Sequence, residues 1–176
     1  LSLSELPFVY PGNIVGGYSF THVLTQDGKL YGWGNNGQGQ IGNGSTSNVS
    51  TPVEITGFGS NVHVTKLYER NTRTEVTMVK TSDDKYWMWG DGAHRQILGQ
   101  NSSDVLSPVD VTSSLSVITG TIKTFNFTNF IGIALTEEGD VWTWGFNRND
   151  LHEIGNGTTT ETYVIVPVKI GFGGQK

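Results

Sequence analysis

Cysteine is absent from the sequence, and with it go disulfide staples, thiolate zinc sites, iron–sulfur clusters and any cysteine nucleophile. Charge is sparse: 15% of residues are Asp, Glu, Lys or Arg, against about 25% in a typical soluble protein. The 11 basic residues are scattered singly and the net charge is −5. No clustered cationic face is therefore offered to a nucleic-acid backbone or an anionic membrane. No apolar run approaches the ~20 residues of a membrane-spanning helix. The longest, Phe130 to Leu135, has the length of a strand. What is abundant is glycine, 24 of 176 residues, with five Trp and many Thr, Ser and Asn. That composition favours strands and turns over helices, and the aromatics suffice for a core.

Self-similarity organises the rest. Trp-Gly occurs at Trp33-Gly34, Trp89-Gly90 and Trp144-Gly145, in steps of 56 and 55 residues. Before each lies a short apolar run, then Asp27-Gly28, Asp83-Asp84 or Glu138-Gly139, then aromatics at spacing two: Tyr31/Trp33, Trp87/Trp89 and Trp142/Trp144. The pattern predicts a β-hairpin closed by a two-residue turn. Gly28 and Gly139 take the left-handed conformation at little cost, and Asp84 tolerates it. Spacing two puts each aromatic pair on one face of its strand, where packing between neighbouring sheets is expected, with a sugar-stacking platform as the alternative.

A second block follows each Trp-Gly. It reads Asn35-Asn36-Gly37-Gln38-Gly39-Gln40-Ile41-Gly42-Asn43-Gly44, then Gln96-Ile97-Leu98-Gly99, then Ile154-Gly155-Asn156-Gly157. Pro52, Pro108 and Pro167 come next, each expected to open a short strand, where a missing N–H does no harm. Taken together, the hairpin, the Trp-Gly, the glycine-rich stretch and the proline strand resemble the regulator of chromosome condensation repeat. The resemblance implies an all-β fold of β-propeller-type blades, each a four-stranded antiparallel sheet. Three divergent repeats are expected within a single repeat domain over 1–176, with units of approximately 14–60, 61–115 and 116–172. The second unit matches most loosely.

Three blades are fewer than the seven with which members of that family usually close. Both ends of the chain are apolar and strand-like, without the polar cap of a terminal repeat, so each is expected to meet another surface: further blades, or another copy in a ring or filament. The chain begins at Leu1 rather than Met, as a fragment or a processed chain would. From the Gly of Trp-Gly to that of the Ile-Gly block the interval is 8, 9 and 10 residues in the three units. The second and third loops thus carry insertions, around His94-Arg95 and Asp150-Leu151-His152, and insertions in repeats map to loops on one face.

Catalytic chemistry is hard to place. The histidines His22, His63, His94 and His152 match no zinc-hydrolase spacing. His94 and His152 fall in equivalent loops, where solvated loop histidines are expected over a metal or binding pair. The acidic pairs at 83–84 and 137–138 sit at turns that favour them locally. The run from Gly34 to Gly44 lacks the Gly-Lys-Ser/Thr ending of a phosphate loop. No catalytic residue, cofactor or metal ligand is therefore assigned. Asn-x-Ser/Thr acceptors occur at Asn43, Asn48, Asn101, Asn126 and Asn156, which keeps glycan decoration in view.

The sequence thus points to a non-enzymatic scaffold that binds a protein partner or another copy of itself through its open blade ends. Neither nucleic-acid binding nor membrane insertion is expected. The contact residues are expected at His94, Arg95, Asp150 and His152. The alternative is a self-assembling, glycosylated extracellular structural subunit, and a secreted location is weakly favoured.

Overall fold

The computed structural model describes residues 13–68, 75–93, 97–98 and 103–172. They form three four-stranded antiparallel sheets, each a meander whose strands neighbour one another in chain order. The first sheet comprises β1 (Ile14–Gly16), β2 (Phe20–Leu24), β3 (Leu30–Gly34) and β4 (Val49–Ile55). The second comprises β5 (Val64–Leu67), β6 (Val76–Thr81), β7 (Tyr86–Gly90) and β8 (Val105–Asp110). The third comprises β9 (Ile122–Phe127), β10 (Ile131–Thr136), β11 (Val141–Asn147) and β12 (Thr162–Lys169), after a short 3-10 helix at Ser113–Leu115. The repeat is therefore one blade of sheet, and each Trp-Gly lies on the third strand of its blade, ending it in the first two.

The central hairpins superimpose in register. Phe20 pairs with Gly34, Val76 with Gly90 and Ile131 with Gly145. Their turns are one residue longer than the sequence pattern predicts. Thr25 donates its N–H to Lys29 O and accepts from Gly28 N, leaving 26–28 as a three-residue loop; Thr81 does the same with Lys85 and Asp84, and Thr136 with Asp140 and Gly139. A type I turn followed by one left-handed residue keeps the strand twist. Gly28, Asp84 and Gly139 supply that residue, with φ of 79°, 62° and 88°.

The prolines also differ from expectation. Pro52, Pro108 and Pro167 lie inside the fourth strands rather than at their starts. Each sits where the pairing with the third strand slips past the Trp or its neighbour. A bulge on an outer strand asks for no ladder N–H, so proline is accommodated there.

Two apolar layers hold the sheets face to face. Phe20, Leu24, Leu30, Ile41 and Ile55 of the first repeat close on Val64, Val79 and Trp89 of the second. On its opposite face the second sheet presents Tyr68, Val76, Met78 and Met88 to Phe125, Phe127, Ala134, Trp142 and Trp144 of the third. The paired aromatics are thus packing residues: Trp87 and Trp89 serve the first layer and Trp142 and Trp144 the second. Trp89 is fully buried, while Trp33, which has no described sheet before it, is half-buried.

Trp89 is also anchored by a hydrogen bond. Its Nε1 donates to Gln40 O at 3.0 Å, a carbonyl that Thr77 Oγ1 approaches at 3.3 Å. His22, buried beneath, sets its ring edge-on to Trp89 at 5.9 Å and places Nε2 3.3 Å from Ile41 O. Gly42 is required here, because a Cβ would lie 2.5 Å from the Trp89 indole nitrogen. Trp89→Phe keeps a ring but opens a void and removes one of two donors from a buried carbonyl, so it is expected to cost about 2–3 kcal/mol. Trp33→Phe is expected to cost less than about 1 kcal/mol, since a half-exposed site relaxes into solvent. Urea unfolding of the two variants tests the difference.

Candidate functional site

The glycine-rich loops join the third and fourth strands at one end of each sheet. In the first loop a single buried side chain organises the chain. Asn36 Nδ2 donates to Asn43 Oδ1, Ser45 O and Ser47 O at 3.0, 2.8 and 3.1 Å, and its Oδ1 accepts from Ile41 N at 2.9 Å. Asn147 repeats the device in the third loop, reaching Thr160 O at 3.2 Å while its Oδ1 accepts from Ile154 N at 3.2 Å. In the second repeat Gly92 stands at this position, its N–H directed at Asp104 Oδ1 at 3.3 Å. The signal for both asparagines, Trp-Gly-x-Asn, was present in the sequence.

The inserted third loop displays residues rather than burying them. Asp150, Leu151 and His152 are exposed, with Asp150 and His152 at φ of 63° and 53°. The loop is braced from below, where Glu153 accepts from Arg148 Nε and, at 3.0 Å, from Arg148 N. Those hydrogen bonds from Arg148 hold the Glu153 carboxyl below the usual carboxylate range, against the opposing effect of burial. Asp150 and His152 therefore share one displayed turn. His94 and Arg95, their expected counterparts in the second loop, lie outside the described residues, and so does the pairing of His94 with His152.

The acceptor asparagines are mostly loop builders. Asn43, Asn48, Asn126 and Asn156 are exposed. Asn43 Oδ1 takes Ser45 N, Asn48 Oδ1 takes Asn36 N and Asn156 Oδ1 takes Thr158 N. Asn126 lies on β9, and Asn101 is outside the described residues. The acidic pairs are turn residues in the same way: Asp83 accepts from Thr81 Oγ1, Asp84 meets Lys80 Nζ at 2.7 Å and Glu137 meets Lys123 Nζ at 3.4 Å. Among the described residues no three His, Asp or Glu side chains are placed to hold one metal ion, and no helix is long and apolar enough to cross a membrane.

Two features lay beyond the sequence reading. At the hairpin-turn end, a groove of about 480 Å³ runs between the first turn and the β4–β5 connection, lined by Asp27, Lys29, Glu54, Phe58, Asn61 and His63 among others. At the loop end, Glu75, Asp91 and Asp104 of the second repeat gather. Burial first, then the neighbouring carboxylates, push Glu75 above its ordinary pKa. Asp104 is raised by burial and by Asp91, against the Gly92 N–H. Spacing did not announce this cluster, because its members come from three separate segments.

Comparison with known proteins gives the pattern its family. Two sequence profiles described as Regulator of chromosome condensation (RCC1) repeat match, over residues 27–67 and 13–40. The chain carries regulator of chromosome condensation repeats. The E3 ubiquitin-protein ligase HERC2 of Mus musculus is 30% identical over 166 residues, which is 93% of this chain and 3% of that protein. The crystal structure of human WBSCR16 superposes with a TM-score of 0.74 at 22% identity, covering 93% of this chain and 38% of that one. Prp20p from Saccharomyces cerevisiae, described with its binding properties to Gsp1p and histones, gives 0.70 at 19% identity over the same shares. The repeat chain thus spans a small part of the ligase and under half of either propeller.

The carboxylate cluster has a pH consequence. A carboxyl whose pKa is raised on folding binds more protons folded than unfolded, so its contribution to stability falls as pH rises through the folded pKa. Asp91→Asn keeps the acceptor that caps Ala93 N at 2.8 Å and removes one charge from the cluster. It is expected to raise Tm at pH 7, with the gain shrinking towards about pH 4 as the carboxyls protonate. Thermal melts across that range check it; a lower Tm at pH 7 contradicts it.

Proposed function

We propose that this chain is a non-enzymatic, protein-binding part of a propeller, which holds a partner on the loops at the glycine-rich end of its sheets. The observation that carries this reading is the third loop. Its base is fixed by Asn147 and by Arg148 on Glu153, while its tip turns Asp150, Leu151 and His152 outward, Leu151 with 57% of its surface exposed. A braced loop with an exposed apolar residue among polar neighbours loses little entropy on binding. By equivalence, His94 and Arg95 complete the contact from the second loop. Gsp1p and histones, the partners in the description of Prp20p, are the first to try.

The outer face of the third sheet supports a second contact. Ile133, Leu135 and Val141 are half-buried there, whereas His22, Leu24 and Leu30, at the same register positions in the first sheet, are buried under the second sheet. Such a face suits a further blade, supplied by a longer chain or by a second copy. The relatives lend no support to the extracellular glycoprotein alternative or to self-assembly.

A photo-crosslinking amino acid placed at position 151, and separately at position 84 on the opposite end, tests the main reading in cells expressing the protein. A protein adduct is expected from 151 and not from 84. Equal yields at the two ends, or none at 151, would overturn it.

A further inference from the structure

Three positions at the loop end are structurally equivalent in every repeat and chemically different in each. The first two are tied by one backbone hydrogen bond, Asn35 N to Ser19 O at 2.8 Å, Asp91 N to Glu75 O at 2.9 Å and Phe146 N to Phe130 O at 2.8 Å. The third precedes the residue that pairs with the Gly of Trp-Gly: Val49, Val105 and Val164 pair with Gly34, Gly90 and Gly145. That makes the third member Asn48, Asp104 or Tyr163. The triplets are therefore neutral in the first sheet (Ser19, Asn35, Asn48), acidic in the second (Glu75, Asp91, Asp104) and aromatic in the third (Phe130, Phe146, Tyr163).

The repeat acts as its own control. Since Ser and Asn suffice in the first sheet, the blade does not need aromatics here. In the third sheet they form a ladder. Phe146 stacks on Tyr163 with centroids 4.6 Å apart and an interplanar angle of 23°, and Phe130 lies 6.5 Å from Phe146. Arg148 Cζ sits 3.8 Å over the Phe130 ring, held there by Glu153. Tyr163 remains 41% exposed, Ile165 beyond it 52% and Leu151 on the neighbouring loop 57%. Stacked aromatics with a braced arginine are the residue types that concentrate binding energy in protein interfaces.

We infer that the loop ends of the second and third sheets form one docking surface for an extended peptide segment of a partner, one that carries lysine or arginine beside an aromatic residue. The ladder takes the aromatic side chain by stacking. The acidic triplet sets the charge of what lies next to it, and no ion pair to Glu75, Asp91 or Asp104 forms among the described residues. The two sheets pack directly on each other in one apolar cluster that holds Trp144 and Phe127 together with Ile97 and Leu98 of the second loop, so the two triplets fall at the same end of adjacent blades. A cationic segment is thereby both attracted and oriented. This inference rests on the loop-end binding reading and names the chemistry of its partner.

Fluorescence anisotropy with three labelled ten-residue peptides tests it: alternating Lys and Phe, alternating Lys and Ser, and alternating Glu and Phe. The Lys/Phe peptide is expected to bind at least about tenfold tighter than either of the others. Phe146→Asn with Tyr163→Asn installs the first sheet's own residues and is expected to bring Lys/Phe binding down to the Lys/Ser level. Tyr163→Ser alone, at an exposed site, is expected to weaken it several-fold and serves if the double variant does not fold. Asp104→Asn is expected to flatten the salt dependence. Equal affinity for the three peptides, or Lys/Phe binding unchanged in the aromatic variants, would overturn the inference. A protein adduct at position 151 alongside that result would leave loop-end binding standing and remove only this partner chemistry.

Discussion

The seating of the second sheet on the first turns on an indole N–H that crosses from one sheet to the loop of the sheet before it. Trp89 Nε1 reaches Gln40 O, and the ring closes over Ile41, His22 and Gly42. The bond couples two constraints that a meander of short strands does not satisfy alone. It gives the glycine-rich loop, whose other backbone bonds are made within the loop by Asn36 and its neighbours, a buried donor from the next sheet. It also fixes the distance between adjacent sheets, so that the apolar layer built on Leu24, Leu30 and Val79 can pack to interior density. A lone four-stranded blade has two apolar faces and cannot bury both, which is why the unit is stable only as a stack.

That arrangement divides the residues of each repeat into two kinds. The hairpin threonines, the Trp, the glycines of the loop and the edge proline build the blade, and their chemistry is similar in all three. The residues just outside Trp-Gly, and those that face them across the sheet end, differ from repeat to repeat. Variation there yields neutral, acidic and aromatic triplets on one scaffold. The rim is where a repeat protein of this kind can acquire a partner without disturbing its core.

Much of the fold was legible because the hairpin signal is local. Asp27-Gly28 and Glu138-Gly139 between apolar and aromatic runs announce a turn, and Trp-Gly at a fixed step announces three sheets. The turn length was not legible, since a three-residue loop with a left-handed last residue uses the same Asp-Gly as a two-residue turn. The prolines misled for a related reason: a bulge inside an outer strand and the start of a strand both dispense with the N–H. Gln40 was invisible because the interface uses its carbonyl, which any residue has. The rim triplets escaped notice because self-similarity draws attention to what repeats, and these positions are defined by not repeating. For the loop around Asp150 and His152 the inserted length was the signal, and the structure shows the displayed turn that the length creates.

The most direct measurement is hydrogen exchange at the tryptophan indoles, followed by proton–nitrogen NMR. If the sheets are held as described, the Trp89 indole proton exchanges only through opening of the interface and is strongly protected, while that of half-buried Trp33 exchanges far faster. Comparable exchange at Trp89 and Trp33 would mean that the second sheet is not seated on the first loop, and the account of how the blades cohere would be wrong.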